Sequence, residues 1–181
     1  MSVVTLRDAT PDDAIEIAAV WVASLRATFT GLISPQQLEA YTQMNSAVDV
    51  WRRQLNDNTR HTTVALADGV LCGLAEWTPM PGRPLGQAPL SDFDGYLYHL
   101  YVLAVVQRQG IGRRLMAAAA RSLREHGCSR MALHVLATNP AVAFYERLGG
   151  TRVRTDPAAG GTPLPHHVYG WSDLAGLDAG A

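Results

Sequence analysis

LYVLAVVQRQGIGRRLMAAA, residues 100–119, is the stretch that decides the fold. An apolar run leads into two glycines, Gly110 and Gly112, and a helix-like stretch follows. Ile111, Leu115, Met116, Ala119 and Leu123 recur at helical spacing, and Gly127 ends the pattern. A strand that turns into a helix this way presents unpaired backbone N–H groups at the positive end of the helix dipole. Such a junction receives anions, phosphate and pyrophosphate above all. Glycines lack Cβ, so a diphosphate can lie against the backbone, and Arg108, Arg113 and Arg114 can add charge-assisted bonds. A plain glycine turn before a helix has the same local pattern. A dinucleotide-binding fingerprint would need a third glycine where Leu115 stands, and a P-loop would need Lys-Ser/Thr after the glycines.

Outward from that junction, the pattern is α/β. VVTLRDA near the start reads as a strand. Thr10 then suits a helix cap, Pro11 its first turn, and Asp12 and Asp13 its positive end. Ser34-Pro35 opens a second, more polar helical stretch, interrupted near Asn45 and ending near Leu55. Asp68-Gly69 between alternating apolar residues predicts a hairpin. MPGRPLGQAP is a surface loop, and YLYHLYVLAVV a central strand. RMALHVLA is a further strand, Asn139-Pro140 opens another helix, and GTRVRT and HHVYGWSD are two last strands around a Pro/Gly loop. The expected order is β-α-α-β-β-β-α-β-α-β-β, in one domain spanning residues 1–181.

Composition narrows the function. The chain has 181 residues, 48% of them apolar, and a formal charge of -1. The core is therefore ample, while the charge offers nothing to nucleic acid or an anionic membrane. Every one of the 15 cationic residues is arginine. Cys72 and Cys128 form neither a disulfide framework nor a metal pattern, and read as reduced core thiols. No metal is expected. Acids stand near the N-terminus where a signal peptide has bases, and no apolar run nears the roughly 20 residues that cross a bilayer. The expectation is a cytoplasmic protein with no membrane or nucleic-acid partner.

Two segments together resemble the GNAT superfamily of acyl-CoA-dependent N-acetyltransferases. Gln107, Gly110 and Gly112 match its Q/R-x-x-G-x-G/A signature. In MALHVLATNPAVAFYERLG, residues Asn139, Pro140, Ala141, Ala143, Phe144, Tyr145, Glu146, Leu148 and Gly149 resemble its second signature. SLRATFTGLISP is similar to an N-terminal segment of some members. The resemblance implies a mixed, mostly antiparallel central sheet, splayed between its fourth and fifth strands and flanked by helices. It implies acetyl-CoA as cosubstrate, with its pyrophosphate on Gln107, Arg108, Gln109, Gly110, Ile111, Gly112 and Arg113. The pantetheine arm would run beside Leu100, Val102 and Leu103, with the Val102 N–H facing the thioester carbonyl. Asn139, Ala143 and Phe144 would complete the cofactor contacts, although Asn139 equally suits a helix cap.

The family tyrosine that protonates the departing thiolate falls on Tyr145. A thiol pKa near ~8.5 and a phenol near ~10 make that transfer cheap. The general base is open. Some members place a glutamate where Tyr96 stands, so Glu76, His99 and Asp94 are the alternatives, and orienting the amine is itself a large effect. Gly150 replaces an aromatic that usually follows Leu-Gly, which predicts looser packing there. Leu25 stands where relatives often carry tryptophan. Acceptor walls are expected from the first helices, MPGRPLGQAP and TDPAAGGTPLPHH, with Trp21, Phe29, Trp77, Tyr96 and Tyr98 as candidate lining. The expected activity is acetyl transfer to a small-molecule primary amine. A protein or peptide amine is the alternative acceptor, a catalytically weak acyl-CoA-binding or sensing module the alternative class. The superfamily allows a homodimer.

Overall fold

The computed structural model describes residues 3–79, 90–157 and 164–177. The expected acceptor loops at 80–89 and 158–163 lie outside them. Among the described residues a seven-stranded sheet has the order β1-β2-β3-β4-β5-β7-β6. Its strands are β1 (Val4–Asp8), β2 (His61–Ala67), β3 (Val70–Thr78), β4 (Gly95–Val102), β5 (Met131–Leu136), β6 (Thr151–Asp156) and β7 (His166–Trp171). The helices are α1 (Ala14–Phe29), α2 (Pro35–Tyr41), α3 (Met44–Leu55), α4 (Ile111–Glu125) and α5 (Val142–Arg147). Pairing is antiparallel for β1/β2, β5/β7 and β6/β7 but parallel for β4/β5. The β4/β5 ladder covers Gly95↔Met131 to Leu97↔Leu133 and stops there, although β4 runs on to Val102 and β5 to Leu136. The sheet thus parts between its fourth and fifth strands.

The chain forms two compact units, residues 1–76 with 99–115, and residues 77–98 with 116–181. The first is built on the apolar face of α1. Ile17, Ala18, Val20 and Val22 pack with Ala47 and Trp51 of α3 and with Val64, Leu71 and Leu74 of the sheet. Asp68 and Gly69 join β2 to β3 with φ 50° and 85°, the paired left-handed residues of a two-residue hairpin turn. The second polar helical stretch breaks earlier than its sequence suggests, at Thr42-Gln43. The Thr42 hydroxyl donates to the Leu38 carbonyl at 2.8 Å and closes α2 there.

In the second unit, Met116, Ala119 and Leu123 of α4 are fully buried. Gly127, at φ 84°, closes that helix: the Cys128 N–H donates to Leu123 at 3.0 Å and the Gly127 N–H to Arg124 at 2.9 Å. A smaller cluster joins Leu90, Tyr96, Ala132 and Val168. Cys72 and Cys128 are both buried free thiols, and burial raises the pKa of each. No helix among the described residues is long and apolar enough to cross a membrane.

Asp13, at the start of α1, anchors the first unit. A 3-10 turn, Pro11–Asp13, precedes the helix. The Asp13 carboxylate accepts the Thr10 N–H at 2.7 Å and both Arg7 terminal nitrogens at 2.7 Å. The Arg7 bond is the main reason its pKa falls to about 2, against the opposing effect of burial. That stabilisation is present above the ordinary carboxyl value of 3.8 and is lost as pH falls through about 2. Asp13→Asn therefore lowers Tm at pH 7. Thermal melts across the acid range should show the gap to wild type closing between those two values.

Candidate active site

The backbone between β4 and α4 turns through two left-handed residues. After Val102 the chain makes a 3-10 turn, Ala104–Val106. Arg108 (φ 66°) and Gly110 (φ 82°) are both left-handed, so the intervening peptide groups turn their N–H bonds toward one concavity. Left-handed backbone in an arginine is strained by about 1–2 kcal/mol. Above Gly110, nothing lies within 4 Å of where a Cβ would stand. Its glycine serves the dihedral and leaves the concavity open. The Arg114 N–H bonds back to Gly110 at 3.0 Å, so the donors just before it precede the helical ladder. Ile111 is buried and pins the turn, whereas residues 107–110 and Arg113 are exposed.

Two side chains of this segment have other tasks. The Arg114 guanidinium donates to the Val4 carbonyl at 3.0 Å, which ties α4 to β1 and diverts it from anion binding. The Gln107 amide donates to the Val102 carbonyl at 2.9 Å. Leu103 donates its N–H to Cys72 of β3 at 2.9 Å. By strand alternation, the backbone groups of Val102 and Leu100 therefore face the edge of β4 away from β3. That edge has no β5 partner beyond Leu97.

Glu76 and His99 meet in the first unit. Glu76 is fully buried, with Arg60 Nη1 at 3.4 and 3.3 Å from its two oxygens and His99 Nε2 at 3.5 Å. Burial pushes its pKa up to about 7, against the pull of Arg60. Burial, then the Arg60 charge, pushes His99 down to about 4. The imidazole is therefore neutral at pH 7, and its approach to Glu76 is a polar contact, not an ion pair. Its ring lies 5.6 Å from Trp51, 5.6 Å from Tyr101 and 6.1 Å from Trp21. Nδ1 is buried without a hydrogen-bond partner among the described residues.

The second unit holds the other predicted residues. Tyr145 is 7% exposed, its ring 5.3 Å from Phe144 and 6.1 Å from Trp171. Asn139 accepts the Ala141 N–H at 2.9 Å and closes a turn, so α5 begins only at Val142. Ala143 is exposed and Phe144 half-buried. Asp94, weighed as a base, is a structural anchor. Its carboxylate accepts the N–H groups of Ser129 and Arg130, the latter at 2.7 Å, and the Ser129 hydroxyl at 3.1 Å. Burial raises its pKa, but these donors together hold it below the ordinary range.

Tyr96 brings in residues that sequence reasoning missed. Its hydroxyl is 2.7 Å from His134 Nδ1, and His134 Nε2 is 3.1 Å from Asp156. Arg154 Nε donates to Asp156 at 2.8 Å. His134 stands in an apolar strand and Asp156 ends another, so only strand pairing brings them together. Among the described residues, no group of three or more histidines, cysteines or acids is placed to hold a metal ion.

Residues 25–150 match the Acetyltransferase (GNAT) family. The chain belongs to that family. It is 33% identical over 176 residues to the uncharacterized N-acetyltransferase YuaI of Bacillus subtilis (strain 168), covering 96% of each chain. It is 34% identical over 91 residues to thialysine N-epsilon-acetyltransferase of Sus scrofa, covering 43% of this chain and 54% of that one. Among solved structures, PaiA N-acetyltransferase of Thermoplasma acidophilum, in complex with coenzyme A, superposes with a TM-score of 0.72 at 18% identity, covering 93% of this chain and 98% of that one. The fold is the GNAT fold, and the protein is an acetyl-CoA-dependent acyltransferase.

One departure from the GNAT pattern needs correcting. Gly150 does not loosen the packing before β6. A Cβ there would lie 2.6 Å from the Trp171 indole and 2.9 Å from the Tyr145 carbonyl. Trp171 fills the space instead, and its Nε1 donates to Leu148 at 2.8 Å. The aromatic ring is supplied from β7. Gly150→Ala should destabilise the fold by about 1–3 kcal/mol. Trp171→Phe should recover part of that loss in the double variant, as measured by urea unfolding.

Proposed function

We propose that this GNAT enzyme transfers the acetyl group of acetyl-CoA to the primary amine of a small molecule by direct attack. The open, left-handed turn at Arg108–Gly110, ahead of α4, carries this reading. Its N–H groups, with those of residues 107–113, receive the pyrophosphate, and the exposed Arg108 and Arg113 add charge. Leu100, Val102 and Leu103 lie along the pantetheine arm. The Val102 N–H faces the thioester carbonyl and stabilises the charge that develops there. Asn139, Ala143 and Phe144 complete the cofactor contacts. Tyr145 protonates the departing thiolate, as the family pattern implies.

His99 is the proton acceptor for the attacking amine, and Glu76 orients it. With Nε2 turned to the carboxyl group, Nδ1, which has no hydrogen-bond partner among the described residues, keeps its lone pair. The thialysine acetyltransferase likeness supports a small-molecule amine as acceptor.

Calorimetry with acetyl-CoA should give micromolar-range binding to wild type and none to folded Gly112→Glu. A panel of lysine, thialysine, spermidine, 2-phenylethylamine and glycyl-leucine then tests turnover. Acetylation of the dipeptide alone would move the acceptor to peptides, and no turnover of any amine would remove the reading. Tyr145→Phe should lower kcat by roughly a hundredfold or more while acetyl-CoA affinity holds. His99→Asn should lower kcat/KM at pH 7, and steady-state pH profiles should show the acid limb displaced.

A further inference from the structure

Three aromatic rings crowd the proposed proton acceptor in the first unit, and the chemistry above gives them no task. The His99 ring lies 5.6 Å from Tyr101, stacked on it at 28°, 5.6 Å from Trp51 and 6.1 Å from Trp21. Trp21 and Trp51 meet edge to face at 6.1 Å. Trp51 is fully buried, but Trp21 and Tyr101 are half-buried and the His99 side chain is 22% exposed. Two polar atoms of this group, His99 Nδ1 and Trp51 Nε1, are buried without a hydrogen-bond partner among the described residues. Buried polar atoms are almost always satisfied, so an orphan acceptor and an orphan donor on neighbouring rings mark a place for a guest.

The rings also stand beside the backbone assigned to the thioester. Tyr101 and Leu103 flank Val102, and both pack with Trp21 against the core formed by α1, α3 and the sheet. An amine whose nitrogen reaches His99 Nδ1 therefore lays its substituent against Trp21 and Tyr101. Charge decides what kind of amine this is. Glu76 already has a cation, Arg60, at 3.3 Å. His99 is kept neutral by burial and by the Arg60 charge. Asp57, the other acid that acts on Glu76, is exposed, where water screens it. Glu76, His99 and Arg60 therefore sum to zero or to one positive charge, never to a negative one. An ammonium ion would meet ring faces that attract it but a guanidinium that repels it, with no free carboxylate among these three.

We infer that the acceptor is an arylamine, flat and uncharged at neutral pH, whose ring packs on Trp21 and Tyr101 and whose amino group donates to His99 Nδ1. The inference deepens the amine acetyltransferase reading and rests on it. An aryl nitrogen shares its lone pair with its ring, so it enters without a proton to shed. The balanced change is ArNH2 plus acetyl-CoA giving ArNH–acetyl and coenzyme A thiol. The N–C bond forms and the C–S bond breaks. Nitrogen gives one proton to His99, sulfur takes one, and none is released overall. A neutral, buried imidazole is a poor match for an alkylammonium of pKa near ~10, but it suffices for a nitrogen made acidic by its new bond to the thioester carbon. Trp21 and Tyr101 thus determine specificity.

The order of substrates and one variant test this. kcat/KM at pH 7 should be measured for 4-methoxyaniline, 2-phenylethylamine, cyclohexylamine, lysine and spermidine. The arylamine should lead the others by about tenfold or more. Trp21→Leu should raise the KM for 4-methoxyaniline by about tenfold while acetyl-CoA affinity, measured by calorimetry, holds, and Trp21→Phe should recover most of that loss. A merely structural role for Trp21 would instead weaken acetyl-CoA binding and act on every amine alike. A higher kcat/KM for any alkylamine of the set than for 4-methoxyaniline overturns the inference and leaves the acetyltransferase reading standing. So does a KM for 4-methoxyaniline that Trp21→Leu leaves unchanged. The substrate order is read on wild type, so it decides the matter even where Trp21→Leu fails to fold. No turnover of any amine by wild type removes the acetyltransferase reading and the inference together.

Discussion

A strand that gives up one of its neighbours is the constraint on which this structure rests. β4 is paired with β5 only as far as Leu97. Interior strands normally satisfy both edges, since an unpaired backbone group away from water costs about as much as a lost hydrogen bond. Here the edge at Leu100 and Val102 is exempted, and the protein manages it locally. Gln107 reaches back to cover the Val102 carbonyl, and Leu103 remains fastened to β3. The amide that remains is set in a strand fastened on its other edge to β3.

The two carboxyl-backed histidines show how burial and partners divide similar parts. Glu76 is sealed in and keeps a proton near neutrality, because burial outweighs one cation at more than 3 Å. Asp156 is held ionised, because the Arg154 bonds outweigh its burial. The imidazole beside each is kept neutral by burial. Local dielectric and one arginine's distance decide which carboxyl group is an acid and which a fixed charge.

Much of this was legible in the sequence because its causes are local. The α4 face follows from helical spacing, and Gly127 from the left-handed residue a helix end requires. Asp68-Gly69 specifies its turn by dihedral preference alone. The cradle at Gly110 and the GNAT resemblance come from contiguous residues. What escaped depends on partners far along the chain. Gly150 has meaning only beside Trp171, and Tyr96 only beside His134 and Asp156. Asp94 resembles a free acid until Ser129 and Arg130 are found donating to it. The break between α2 and α3 turns on a single threonine hydroxyl, which periodicity does not register.

The bond from Arg114 to the Val4 carbonyl crosses 110 positions of sequence. The first turn of α4, the helix behind the cradle, is thus fastened by the first strand of the chain. On a ribosome β1 emerges early and must wait for that arginine, and a contact of this span is among the slowest for a chain to close. The cradle would acquire its final support late in folding, when nearly all of the surrounding unit is in place. An extension or trimming just ahead of β1, remote in sequence from α4, therefore acts directly on the first turn of that helix.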